Sequence, residues 1–109
     1  MSFKIISTPV FEKELKKIST KYHSFKSDYR HFLDSLAENP AHGISLGNNC
    51  YKIRLAIASE GRGKSVGARL ITYVKVINKQ IFLISIYDKS SKENISKAEI
   101  NARISILNY

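Results

Sequence analysis

Two apolar runs, Ala68 to Ile77 and Gln80 to Tyr87, are separated only by Asn78-Lys79, and they restrict this chain more than any other feature. The first run is apolar at odd and even positions alike. A strand made from it is covered on both faces and belongs at the centre of a sheet. Asn78-Lys79 then forms a tight hairpin turn into the second run. Upstream, Tyr51, Ile53, Leu55 and Ile57 alternate with Lys52, Arg54, Ala56 and Ala58, a period-two strand with two cations on one side. Phe3-Lys4-Ile5-Ile6, bounded by Ser and Pro, reads as a further short strand.

Helical signals fill the remainder. Thr8 is placed to N-cap a helix with Pro9 in its first position. Phe11, Leu15, Ile18 and Tyr22 then fall on one face, while Glu12 and Lys16 pair across the opposite one. Phe25, Tyr29, Phe32 and Leu36 mark a second face, which stops near Glu38-Asn39 because Pro40 disfavours helix before it. Residues 9–38 are expected to be two helices packed as a hairpin, breaking near Tyr22–Ser24. By composition, residues 39–49 and 59–67 are loops. Ser96 and Glu99 form a capping box with an Ile95–Ile100 staple, opening a final helix whose stripe is Ile100, Ile104 and Leu107.

The expected class is α+β, in the order β-α-α-β-β-β-α. An N-terminal helical hairpin packs on a small, mostly antiparallel sheet, and a C-terminal helix closes the chain. At 109 residues, one domain spanning 1–109 is expected. Apolar residues at 43% supply a core and argue against disorder. No run is long enough to span a membrane, and MSFKIIS lacks the features of a secretory leader. The single Cys50 permits no internal disulfide and no cysteine-rich zinc site, which fits a cytoplasmic protein.

Charge narrows the partners. Eighteen Lys and Arg against nine Asp and Glu leave +9. The excess is concentrated: Lys52, Arg54, Arg62, Lys64, Arg69, Lys75 and Lys79 stand against Glu60 alone, net +6 in 28 residues. Such a segment favours a polyanion, meaning nucleic acid, an acidic protein or an anionic surface. Gly61-Arg-Gly-Lys-Ser65 is not a nucleotide-triphosphate loop, because Ala58 stands where that motif needs Gly and a strand follows where it needs a helix. The same residues suit a cationic loop that grips a phosphodiester backbone, or simply a solvated hairpin loop. Lys52 and Arg54 share a strand face and repel unless an anion visits, an arrangement that also lowers a lysine pKa. An exposed face kept soluble by charge also accounts for them, and more simply. Arg69, at a strand start, can hold a phosphate bidentately or pair with Glu60 or Asp88. Tyr87 and Lys89, at the end of the next strand, can meet a base and a phosphate, or Tyr87 lies over the core with Lys89 in solvent.

His23, His31 and His42 are scattered, and carboxylates are scarce where cations cluster, so neither a metal nor a cofactor is expected.

Tyr51-Lys-Ile-Arg-Leu55, Gly63-Lys-Ser-Val-Gly-Ala-Arg-Leu-Ile71 and Leu83-Ile-Ser-Ile-Tyr-Asp-Lys89, in this order, resemble the RelE/HigB-type toxins of bacterial type II toxin–antitoxin systems, in the RelE/ParE superfamily. The resemblance covers nearly the whole chain. It implies a ribosome-dependent, metal-free mRNA endoribonuclease (an mRNA interferase) that enters the ribosomal A site and inhibits translation. In that chemistry the mRNA 2′-hydroxyl attacks the adjacent phosphate. Carried onto this sequence, Lys52 becomes general base or phosphate clamp beside Arg54. Arg69 stabilises the phosphorane, Lys89 assists the leaving group, and Tyr87 with Asp88 positions the base. Arg62, Lys64 and Lys75 become RNA contacts to mRNA or rRNA. The implied partners are a cognate acidic antitoxin and the ribosome with its mRNA, and no membrane. The chain departs from the family pattern twice. Ile95 stands where some members carry a late tyrosine, and residues 52–89 contain no histidine. Two alternatives are a ParE-like gyrase poison without nuclease activity and a non-catalytic basic RNA-binding module.

Overall fold

The structure, a computed structural model, describes residues 2–56, 67–89 and 94–107. Among these the elements run β1 (Lys4–Ile6), α1 (Pro9–Lys21), α2 (Phe25–Glu38), β2 (Ile44–Gly47), β3 (Cys50–Leu55), β4 (Ala68–Lys75), β5 (Gln80–Asp88) and α3 (Lys97–Ser105). The strands form one sheet in the order β1-β5-β4-β3-β2. Three pairings are antiparallel; β1 alone runs parallel to its neighbour, β5. The α+β class, the helical hairpin and the closing helix are as expected. The sheet has one strand more than the sequence suggests.

That strand is β2, inside the segment read as a loop. Asn48 and Asn49, at φ 51° and 64°, make a two-residue turn that folds β2 back on β3. Positive φ at both turn residues matches the right-handed twist of the flanking strands, and Asn tolerates it better than most residues. The β4–β5 connection is also longer than Asn78-Lys79. β4 ends at Lys75, and Val76–Lys79 form the turn, with Ile77 exposed at its tip.

The helix signals hold at atomic detail. Thr8 Oγ1 accepts the Phe11 N–H at 3.3 Å, and Ser96 Oγ accepts the Glu99 N–H at 3.1 Å. Each satisfies an N–H that the first helical turn leaves unpaired. α1 ends at Lys21 and α2 begins at Phe25, within the expected break.

Each face of the sheet has its own core. Phe11, Ile18, Phe25, Tyr29 and Leu36 of the helical hairpin pack on Ile53, Leu55, Leu70, Ile81 and Ile86. On the other face, Ile95 and Ile100 of the α3 segment pack on Cys50, Ile71, Phe82 and Ile84.

A β-bulge decides which residues meet on that second face. Ile71 opposes Ser85 and Thr72 opposes Leu83, so Ile84 is the extra residue on β5. Before the bulge, Phe82 and Ile84 face α3; beyond it, Tyr87 does, and Ile86 turns toward the hairpin. Unbroken alternation from Ile84 would send Tyr87 to the hairpin side.

β1 covers only Gln80–Phe82 of the outer edge of β5. Side chains meet the backbone beyond it. Thr8 Oγ1 donates to Leu83 O at 3.1 Å, Arg103 Nη1 donates to Ile84 O at 2.9 Å, and Glu14 Oε1 accepts the Ile86 N–H at 3.2 Å. Arg103 also holds both Glu14 oxygens at 3.0 Å and Glu99 at 2.9 Å, tying α3 to α1.

Candidate functional site

On the α3 face, cations from three neighbouring segments meet. Arg54 on β3 lies directly opposite Arg69 on β4, and Arg69 lies directly opposite Tyr87 on β5. This cross-strand row runs perpendicular to the strands. Lys52 stands one pleat along on the same face, opposite Ile71. Lys89 follows the end of β5, where its N–H donates to Gly67 O at 3.2 Å. Gly67 fits because a Cβ there would lie 2.2 Å from Leu55 O, so only glycine lets β3 and β4 close so near Arg69.

Burial and mutual repulsion both act on these groups. Lys52 is pushed below the usual lysine range, first by partial burial and then by Lys89, Arg69 and Arg54. Arg69 is buried, 5% exposed, and its guanidinium donates to the carbonyls of Gly67 and Ala68 at 3.3 Å. Burial and Arg54 both push its pKa down from the arginine range. Burial pushes the Tyr87 hydroxyl up, and Arg69 partly opposes this. Like charges directly opposite each other are unfavourable, so an anion in this row relieves a standing cost.

Asn94, ahead of α3, is the member that sequence reasoning missed. Its Oδ1 accepts from Lys52 Nζ at 3.2 Å, from the Tyr87 hydroxyl at 3.2 Å and from the Ile95 N–H at 3.0 Å. Three donors on one oxygen fix the amide and hold Lys52 and Tyr87 together. The only signal in the sequence is its position two residues before the Ser96 cap.

Of the residues singled out from the sequence, Lys52, Arg54, Arg69, Tyr87 and Lys89 are brought together. Lys75 is not: it lies at the opposite end of β4, opposite Gln80, six residues or about 20 Å along the strand from Arg69. Asp88 is not either. The bulge turns it to the hairpin face, where Lys21 Nζ donates to it at 2.9 Å and the Tyr22 hydroxyl at 2.7 Å. It therefore lies on the face away from Tyr87 and Arg69. Arg62, Lys64 and Glu60 lie outside the described residues. Among the described residues, no three His, Cys, Asp or Glu come together as metal ligands, and no helix is long and apolar enough to cross a membrane.

Fold and site together define a basic α+β protein with cations gathered on one face of its sheet. The family model for the RelE toxin of RelE/RelB toxin–antitoxin systems matches residues 4–107, and the chain belongs to that family. Membership implies an antitoxin partner. Two solved structures share the fold. One is a double arginine-to-alanine mutant of the E. coli toxin RelE in the free state, 18% identical over 100% of both chains, with a TM-score of 0.62. The other is the isolated E. coli RelE toxin, 20% identical over 96% of this chain and 99% of that one, with a TM-score of 0.58. Curated protein sequences give no match.

Proposed function

We propose that this toxin is a ribosome-dependent endoribonuclease that cuts mRNA without a metal and so stops translation. The observation that carries the reading is the meeting of Lys52, Arg54, Arg69 and Lys89 with Tyr87 on one face, where partial burial first and then three of those cations push Lys52 down. A phosphodiester is the anion that such a row fits. The 2′-oxygen of the substrate attacks the adjacent phosphorus. The P–O5′ bond breaks, leaving a 2′,3′-cyclic phosphate and a 5′-hydroxyl. A lysine of lowered pKa, Lys52, takes the 2′-proton, since its neutral form is more accessible than that of an ordinary lysine. Arg69, fixed by two backbone carbonyls, presents its remaining donors to the phosphorane oxygens. Lys89 supplies a proton to the departing 5′-oxygen, and Tyr87 flanks the base.

The chain acts as one domain in the cytoplasm, with Arg62 and Lys64 on ribosomal or messenger phosphates. An acidic antitoxin neutralises the row, and by linkage its binding raises the melting temperature. Primer extension on mRNA after induced expression tests the function. Cuts are expected at ribosome-occupied codons, absent with Lys52→Ala and Arg69→Ala proteins that remain folded. Intact mRNA with gyrase-linked DNA breaks would overturn it in favour of a gyrase poison.

A further inference from the structure

We propose that a cleft beside the cationic row is a slot for a single nucleobase of the substrate strand. This rests on the RNA-cleaving reading above and adds the part that recognises sequence. The cleft, about 230 Å3, lies between the β2–β3 turn and the start of α3. Its walls are apolar: Cys50 and Ile71 from the sheet, Ile95 and Ile100 from the α3 segment. Its volume is below the roughly 300 Å3 at which drug-sized ligand pockets begin, so it suits one ring system rather than a larger cofactor.

The rim gives the chemistry. Asn48, Asn94 and Asn101 line it. The Asn48 and Asn101 amides each offer a donor and an acceptor, the combination that reads a base edge, while Asn94, whose oxygen is already taken by three donors, keeps only its amino group. Lys52 and Lys97 are the charged lining residues, and no carboxylate lines the cleft among the described residues. The occupant is therefore flat, apolar on its faces, polar at its edges and attached to negative charge. An unpaired nucleotide has all four properties.

Lys52 and Asn94 belong to both places. They line the cleft, Lys52 donates to Asn94, and Asn94 also accepts from Tyr87 at the end of the row. A base in the cleft thus brings its own phosphate to the row. The base edge then meets Asn101 and Asn48, which gives the cutting a sequence preference.

Amide spectra of the full chain, titrated with each of the four nucleoside 5′-monophosphates, read the cleft directly. Ribose 5-phosphate and inorganic phosphate are the controls. The nucleotides are expected to shift Cys50, Ile100 and Asn101, while the controls move only residues around Arg54 and Arg69. Shifts at the cleft that are equal for inorganic phosphate, or missing with every nucleotide, overturn the inference. So does an acidic peptide that perturbs the cleft where nucleotides do not. Asn101 is exposed on α3, and Asn101→Ala is expected to change the ratio of cuts between codons roughly threefold to tenfold, the worth of one hydrogen bond. An unchanged codon pattern overturns the slot and leaves the nuclease standing. If the wild type cuts no mRNA the nuclease reading fails, and the titration still decides whether the cleft takes a base.

Discussion

The hairpin face and the α3 face of this sheet come from the same strands, yet they are packed to different ends. Against the hairpin, the sheet carries a closed aromatic and aliphatic core with Phe11, Phe25 and Leu36 fully buried. Against α3 the core is smaller, and it gives way to Lys52, Arg54 and Arg69. The contrast shows how a small protein keeps like charges side by side. Apolar burial on one face offsets the repulsion and desolvation held on the other. β5 serves both, since Tyr87 joins the cations while Asp88 turns back to Lys21 and Tyr22.

Truncating each core is the most forceful way to break this contrast. Phe25→Ala should lose about 3–5 kcal/mol in urea denaturation, and Ile100→Ala about 2 kcal/mol, the low end for a buried aliphatic side chain. Equal losses would mean that the two faces share the stabilising work. Next comes Arg69→Ala. Removing a phosphorane donor should slow cutting roughly 100- to 1,000-fold. The urea midpoint should hold or rise, because Arg54 loses a like-charged neighbour. A fall in stability matching the fall in rate would assign Arg69 to the core instead. Asn94→Ala should cost roughly tenfold in rate, the value of a hydrogen bond to a charged group. It should also push the Lys52 pKa lower still, as read from the side-chain carbon shift, because an acceptor of the ammonium protons is gone.

Alkali sharpens the comparison by smaller effects of opposite sign. Lys52 is depressed in the folded chain. Between its folded pKa and 10.5, the unfolded chain holds a proton that the folded chain has shed, so this group makes stability rise with pH. Tyr29, in the hairpin core, is pushed up from 10.0 to about 12 by burial and then by Glu12. Between those values the unfolded chain ionises while the folded chain does not, so this group makes stability fall with pH. Relative to wild type, Lys52→Gln should lose stability more steeply through the alkaline range and Tyr29→Phe less steeply. Parallel urea-midpoint curves would show that neither group titrates as described.

The features legible in the amino-acid sequence are those governed by local rules. Pro9, the Ser96–Glu99 cap and the four-three-four spacing of Phe11 to Tyr22 depend only on near neighbours. So does the alternation of β3, which places Lys52 and Arg54 together. β2 is hidden because it is only four residues long and mostly exposed, although Ile44 and Leu46 alternate with Ser45 and Gly47 and Asn48-Asn49 is a hairpin turn by type. Tyr87 and Asp88 cannot be assigned to faces from the pattern, because a strand apolar on both sides conceals a bulge at Ile84. Asn94 carries no pattern at all. Its place depends on where Ile95 anchors the segment ahead of α3, which is a tertiary fact.

The pegging of β5 by Glu14 and Arg103 has a consequence for life in a crowded cell. Past β1, bare main chain would invite a copy of the same protein to zip alongside, and another onto that. A carboxylate and a guanidinium seated on Ile86 and Ile84 close that stretch of the edge to a pairing strand with two side chains.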